Sequence, residues 1–315
     1  MKKFFTALAI AGFMAFNGLS TFAQSDKPVP QDPKFVVGIN LQAAKQSSLG
    51  KLLFETVKSK ALEEMQKKSG SDSADLDRLK EMIGFDPFEE VQSISFSSSD
   101  YDKPEESMMA TIRLRKTTGN IEGLLLNLPE YKAEEYKAHS IHSVAPDSNL
   151  RVYGAIHGKG NQDRTIVLCP KADKVKQALD QLDASSSSEK KDDAIVKLRV
   201  IDLPSDKLGE GPQANVAKIV KEVEATIRES NNQLQVALTM LTSSEKQAEQ
   251  LRQMAQGLIA MIDFAQGLEP DDEDLKKVQA ILKGVEAKCN GNRVEIAVRV
   301  DSSEVAKVIE KELRD

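Results

Sequence analysis

Three histidines, two cysteines and one run of acids are the residues of this chain whose types and spacing could do chemistry. His139, His142 and His157 all fall on one predicted hairpin, Ala138 to Val144 paired with Leu150 to Ile156 around Pro146-Asp147-Ser148-Asn149. If Val144 faces Leu150, His139 and His157 share a face on a diagonal, and His142 points the other way. That supplies two ligands where zinc takes three or four, and the nearest carboxylates in sequence, Glu134, Glu135 and Asp163, are placed in flanking loops. The residues therefore read as surface or half-buried histidines with no metal assigned, and His139 and His157 are the pair that a metal would use.

Asp271 to Asp274 follow Pro270 at a predicted helix start, where negative charge compensates the positive end of the macrodipole. They lack the alternating ligands and glycine of a calcium loop. Gly158-Lys159-Gly160 lies between two predicted strands without the Gly-Lys-Ser or Gly-Lys-Thr ending of a phosphate cradle, and no Gly-x-Ser-x-Gly elbow occurs. No catalytic residue and no cofactor is assigned. Cys169 and Cys289 could pair in an oxidising compartment, closing a loop of about 120 residues for up to about 4 kcal/mol, or could be two small buried thiols.

The compartment is suggested by the first residues. Lys2 and Lys3 lead an apolar run from Phe4 to Phe16, Asn17 and Gly18 break it, and the small side chains of Thr21 and Ala23 precede a cleavage point between Ala23 and Gln24. Thirteen apolar residues fall short of the roughly 20 that span a bilayer, so residues 1–23 read as a signal peptide and the mature chain as periplasmic or secreted, without a stable membrane span. Losing the two lysines moves the net charge from −6 to −8, which argues against nucleic acid as a partner.

Residues 24–34, with three prolines, form an extended leader. Alternation and helical spacing then predict a first α+β half over residues 35–184, a Ser-rich charged linker over 185–193, and a second half over 194–315. Helices are expected at 172–182, with Val175, Ala178, Leu179 and Leu182 on one stripe, and at 243–267. Val223-Glu224-Ala225 opens a hairpin ending in Ser243-Ser244-Glu245, and Val285-Glu286-Ala287 opens another ending in Ser302-Ser303-Glu304. Each is strand, turn, strand and capped helix. The expected fold is thus α+β: two similar halves of antiparallel sheet covered on one face by helices, built from ββα repeats or matching by chance.

The Ser48-Leu49-Gly50-Lys51 helix start, Gly84-Phe85-Asp86-Pro87 with Glu89-Glu90-Val91, and the Ser-Ser-Glu-capped second half together resemble a scattered group of exported bacterial α+β proteins of unknown function. The resemblance implies a fold and an envelope address and transfers no functional residue. Along the long helix, Leu251, Met254, Leu258 and Met261 step by three and four, as a sheet-covering stripe or an apolar binding face would. The function that follows is non-enzymatic binding or assembly with an unknown envelope protein. A carrier of an apolar small molecule between sheet and helices is the alternative, and a hydrolase of unknown substrate the third.

Overall fold

The structure, a computed structural model, describes residues 32–52, 54–56, 59, 80, 85–115, 121–126, 128, 130–147, 150–158, 162–184, 193–205, 210–268, 279, 282 and 284–307. The signal-like segment, the predicted helix carrying Leu76 to Ile83 apart from Lys80, most of the linker and Asp271 to Asp274 lie outside these residues. The fold is α+β, and every described strand pairing is antiparallel. The described residues fall into two compact units, residues 32–46 with 50–184 and residues 47–49 with 193–307.

The first unit contains β1 (Phe35–Asn40), α1 (Leu41–Gln46), α2 (Pro87–Glu90), β2 (Val91–Ser98), α3 (Pro104–Ser107), β3 (Met109–Leu114), α4 (Ile121–Leu125), β4 (Lys132–Tyr136), β5 (His139–Asp147), β6 (Leu150–His157), β7 (Arg164–Cys169) and α5 (Ala172–Ala184). Its strands lie in the order β1-β2-β3-β7-β6-β5-β4. Helix α5 forms because its apolar residues recur at helical spacing, and that stripe decides where it docks. Val175, Ala178, Leu179 and Leu182 pack on Met109, Ile141, Ala155, Val167 and Cys169, all buried.

Strand β2 turns its polar side inward. Val91, Ser93, Ser95 and Ser97 are buried on the α5 side, whereas Ile94 is half-buried and Phe96 is 37% exposed. On that second face Ile39, Ile94, Ile112, Ile166 and Ile156 stand in register across β1, β2, β3, β7 and β6, each half-buried. Gly154 leaves room beside this row, since a Cβ there would meet Leu168 Cδ2 at 2.7 Å.

Two sequence expectations need correcting here. Residues 132–136, read as loop, are strand β4, an edge whose Lys132, Glu134 and Glu135 are exposed and charged. Charge on an edge strand discourages pairing with another chain, and it also erases the alternation that would announce a strand. Pro146 and Asp147, read as turn, belong to β5, whose register with β6 shifts between Val144 and Asp147.

The second unit contains β8 (Ala194–Ile201), α6 (Pro212–Ile219), β9 (Val220–Ser230), β10 (Gln233–Thr242), α7 (Glu245–Leu268), β11 (Glu286–Asn290), β12 (Arg293–Asp301) and helical residues 302–307, with strand order β11-β12-β10-β9-β8. Asn231 and Asn232, at φ 52 and 58, make the two-residue turn whose positive φ values suit a twisted hairpin. The core is Leu238, Met240, Val294 and Ile296 under Ala248, Leu251 and Ala255 of α7. Ser244 Oγ accepts from the Gln247 N–H at 3.3 Å, as its spacing predicts. At the last helix the acceptor is Asp301, whose Oδ1 takes the Ser303 N–H at 2.8 Å. No described helix is long and apolar enough to cross a membrane.

Candidate functional site

Strands β5 and β6 hold His139 and His157, and the last turn of α5 brings Asp183 to both. The register Ile141 to Ala155, continued two residues outward, sets the histidines directly opposite each other, with ring centres 5.4 Å apart. The diagonal arrangement expected from sequence is therefore corrected: Val144 faces Val152, not Leu150, because the chain bulges before the turn. Asp183 follows Val175 and Leu179 at four-residue steps, so it continues the buried stripe of α5 to the sheet's edge.

His139 Nε2 lies 2.9 and 3.0 Å from the two Asp183 oxygens, and His157 Nε2 lies 3.1 Å from Oδ1. The His139 side chain is 9% exposed, His157 29% and Asp183 43%. The hydrogen bond from His139, supplemented by His157, holds the Asp183 carboxyl below the usual carboxylate range against some desolvation. One helical turn away, Asp180 accepts from Lys137 Nζ at 2.5 Å and Tyr136 Oη at 3.1 Å, which lowers its pKa in the same direction.

The carboxylates that sequence proximity suggested are engaged elsewhere. Glu134 pairs with Lys176 at 3.0 Å, Glu135 accepts from Ser140 Oγ at 3.0 Å, and Asp163 accepts from Gln92 Nε2 at 3.1 Å. Asp183 was missed because nothing in a one-dimensional pattern links a helix end to a hairpin 26 and 44 residues earlier. Its signal was a carboxylate extending an apolar stripe. His142 does point to the opposite face, where it is buried, stacks on Tyr131 and bonds the Tyr131 hydroxyl through Nδ1 at 2.9 Å.

A second candidate surface is the outer side of α7. Leu251, at 4% exposure, belongs to the core, so the stripe read from sequence divides. Met254, Leu258 and Met261 are 45%, 42% and 67% exposed, and Phe264 and Leu268 extend the same side at 69% and 67%. At about 100° per residue these five side chains cover an arc of about 120°.

Cys169 and Cys289 are free thiols, so the bridge considered from sequence is not formed. Cys169 is buried in β7, where burial pushes its pKa up, and Cys289 is half-buried in β11. A surface cleft of about 120 Å³ lies between Gln42, Lys45, Gln46, Glu89 and Arg115. Its size is well below the roughly 300 Å³ of a small-molecule pocket.

No protein-family model matches the chain, and no curated protein sequence matches it. Among solved structures it is similar to three crystal forms of TP0453. Form IV gives a TM-score of 0.45 at 10% identity, covering 91% of this chain and 98% of that one. Form III gives 0.44 at 9%, covering 92% and 99%, and form I 0.44 at 10%, covering 92% and 98%. No site residue is carried over from them.

Proposed function

We propose that this protein is exported and acts without catalysis, binding another envelope protein through the outer side of α7. The carrying observation is the run of five large apolar side chains, Met254, Leu258, Met261, Phe264 and Leu268, each at least 42% exposed. A contiguous apolar side of this kind is costly to leave in water and marks interaction surfaces. Two methionines and a phenylalanine are also the residue types that adapt to, and anchor, protein interfaces. Lys2, Lys3 and the apolar run before Ala23 support delivery to the periplasm or beyond, with removal of residues 1–23.

The carrier reading gains less support, because the interfaces between sheet and helix are filled. Val175, Leu179 and Val167 in one unit, and Ala248 and Val294 in the other, are all at 0% exposure. The test is a photo-crosslinking residue placed at Met261 or, as control, at Gln256 on the far side of the helix, in cells of the natural host. A discrete protein adduct from Met261 alone, lost on Phe264→Glu, is expected. Adducts to lipid only, to the chain itself only, or equally from both positions would overturn the reading. N-terminal sequencing of the mature protein tests export separately, and a chain beginning at Met1 would refute it.

A further inference from the structure

We infer that His139, His157 and Asp183 form a binding site for a divalent transition-metal ion of the zinc class, which staples the end of α5 to the β5–β6 pair. The inference does not depend on the reading of α7. One nitrogen from each ring and one carboxylate oxygen lie within 4.8 Å of one another. With Asp183 Oδ1 as the shared oxygen, two of the three edges of that triangle are 3.0 Å (to His139 Nε2) and 3.1 Å (to His157 Nε2). Donors around tetrahedral zinc, bonded at about 2.0–2.1 Å, stand about 3.4 Å apart. The same three atoms therefore converge on one point, and a small outward movement admits the ion.

The donor set suits that class of metal. Two imidazoles and a carboxylate favour zinc and its neighbours over calcium or magnesium, which take oxygen ligands. Both rings project from paired strands, so their separation is set by the sheet, and only the Asp183 carboxylate has to adjust. Neutral imidazole binds through Nε2 with its proton carried on Nδ1, so coordination takes the place of the Nε2 contacts to Asp183. Asp180 is engaged with Lys137 and Tyr136 and adds negative charge beside the site as a non-ligand. The 43% exposure of Asp183 provides an entry path and leaves the fourth position to water or to a donor from outside the chain.

The chain has only three histidines, which makes the test selective. Chelator-treated full-length mature protein labelled with ¹⁵N-histidine is titrated with zinc chloride, and the imidazole nitrogens are followed by NMR. Two of the three rings are expected to shift at Nε2, saturating at one ion per chain, while His142 stays unchanged. Calorimetric affinity should fall at least tenfold in His157→Gln and in Asp183→Asn. No saturable shift, a shift centred on His142, or variants that bind as tightly as the unaltered chain would overturn the site. Since the decisive spectrum is recorded on the unaltered protein, a variant that folds poorly does not protect the inference.

Discussion

His139 faces His157 across β5 and β6, and both rings share the Asp183 carboxylate. Without metal this is a hydrogen-bonded clasp between sheet and helix. Because the folded carboxyl is held below its ordinary value, its contribution is present above about pH 4 and disappears as pH falls through the lower, folded pKa. Asp183 is 43% exposed, so solvent screening keeps the contribution under about 1 kcal/mol. In chelator-containing buffer, Asp183→Asn should unfold at lower urea than the unaltered chain at pH 7, and the gap should shrink as pH falls below about 4. An unchanged gap would show that the charge is not what matters.

Glu229 caps a turn 180 residues before it. Its carboxylate accepts the Ser48 N–H and the Leu49 N–H, each at 3.0 Å, and the Ser48 hydroxyl, all three residues belonging to the second unit. Burial would raise its pKa, but these donors outweigh it and the net shift is downward. The contribution is therefore present above about pH 4.3 and lost as pH falls through the folded value. Glu229→Gln should cost about 1–2 kcal/mol at neutral pH by urea unfolding, the usual worth of a cap. A loss that does not shrink as pH falls below about 4.3 would place the effect in packing instead.

Much of the fold could be read from periodicity, and the exceptions have physical causes. Helix α5 declares itself because one stripe is apolar and buried. Strand β4 hides because an edge needs charge more than alternation. In β2 the alternation is visible but inverted: Ser93, Ser95 and Ser97 are buried on one side, and Ile94 and Phe96, less buried, stand on the other, a choice made by cross-strand neighbours that no local window contains. The two histidines of the site follow from hairpin parity, whereas their exact pairing depends on one bulge and the third member on tertiary docking. The cap at Ser244 is local and legible, the cap at Asp301 is local but falls just before the Ser302-Ser303-Glu304 motif that the sequence pointed to, and the cap by Glu229 is neither local nor legible.

The division of the α7 stripe predicts opposite outcomes for two neighbouring truncations. Leu251 is buried among Leu238, Met240 and Ile296, so Leu251→Ala removes contacts and leaves a cavity, at about 2–4 kcal/mol. Met261 is 67% exposed, so Met261→Ala should change stability by less than about 0.5 kcal/mol. Urea midpoints compare them directly. Equal losses would mean that α7 buries its outer side within the chain, which would also undercut the binding role.

Glu224 predicts a substitution that stabilises. It lies on β9 opposite Arg199, but that guanidinium is committed to Glu222 through bonds of 2.8 and 2.9 Å and stands 4.0 Å from Glu224. Burial, then the neighbouring Glu222, push the Glu224 carboxyl above its ordinary range, with Arg199 and Arg293 only partly offsetting them. An acid whose folded pKa is raised favours folding below its unfolded value, about 4.3, and opposes it as pH rises through the folded one. Glu224→Gln keeps the shape and removes the charge, so it should raise stability at pH 7 by up to about 1 kcal/mol and give no gain near pH 4. A loss at pH 7 would mean that the Arg199 attraction outweighs desolvation, and that the charged row across β8 and β9 holds this sheet together instead of straining it.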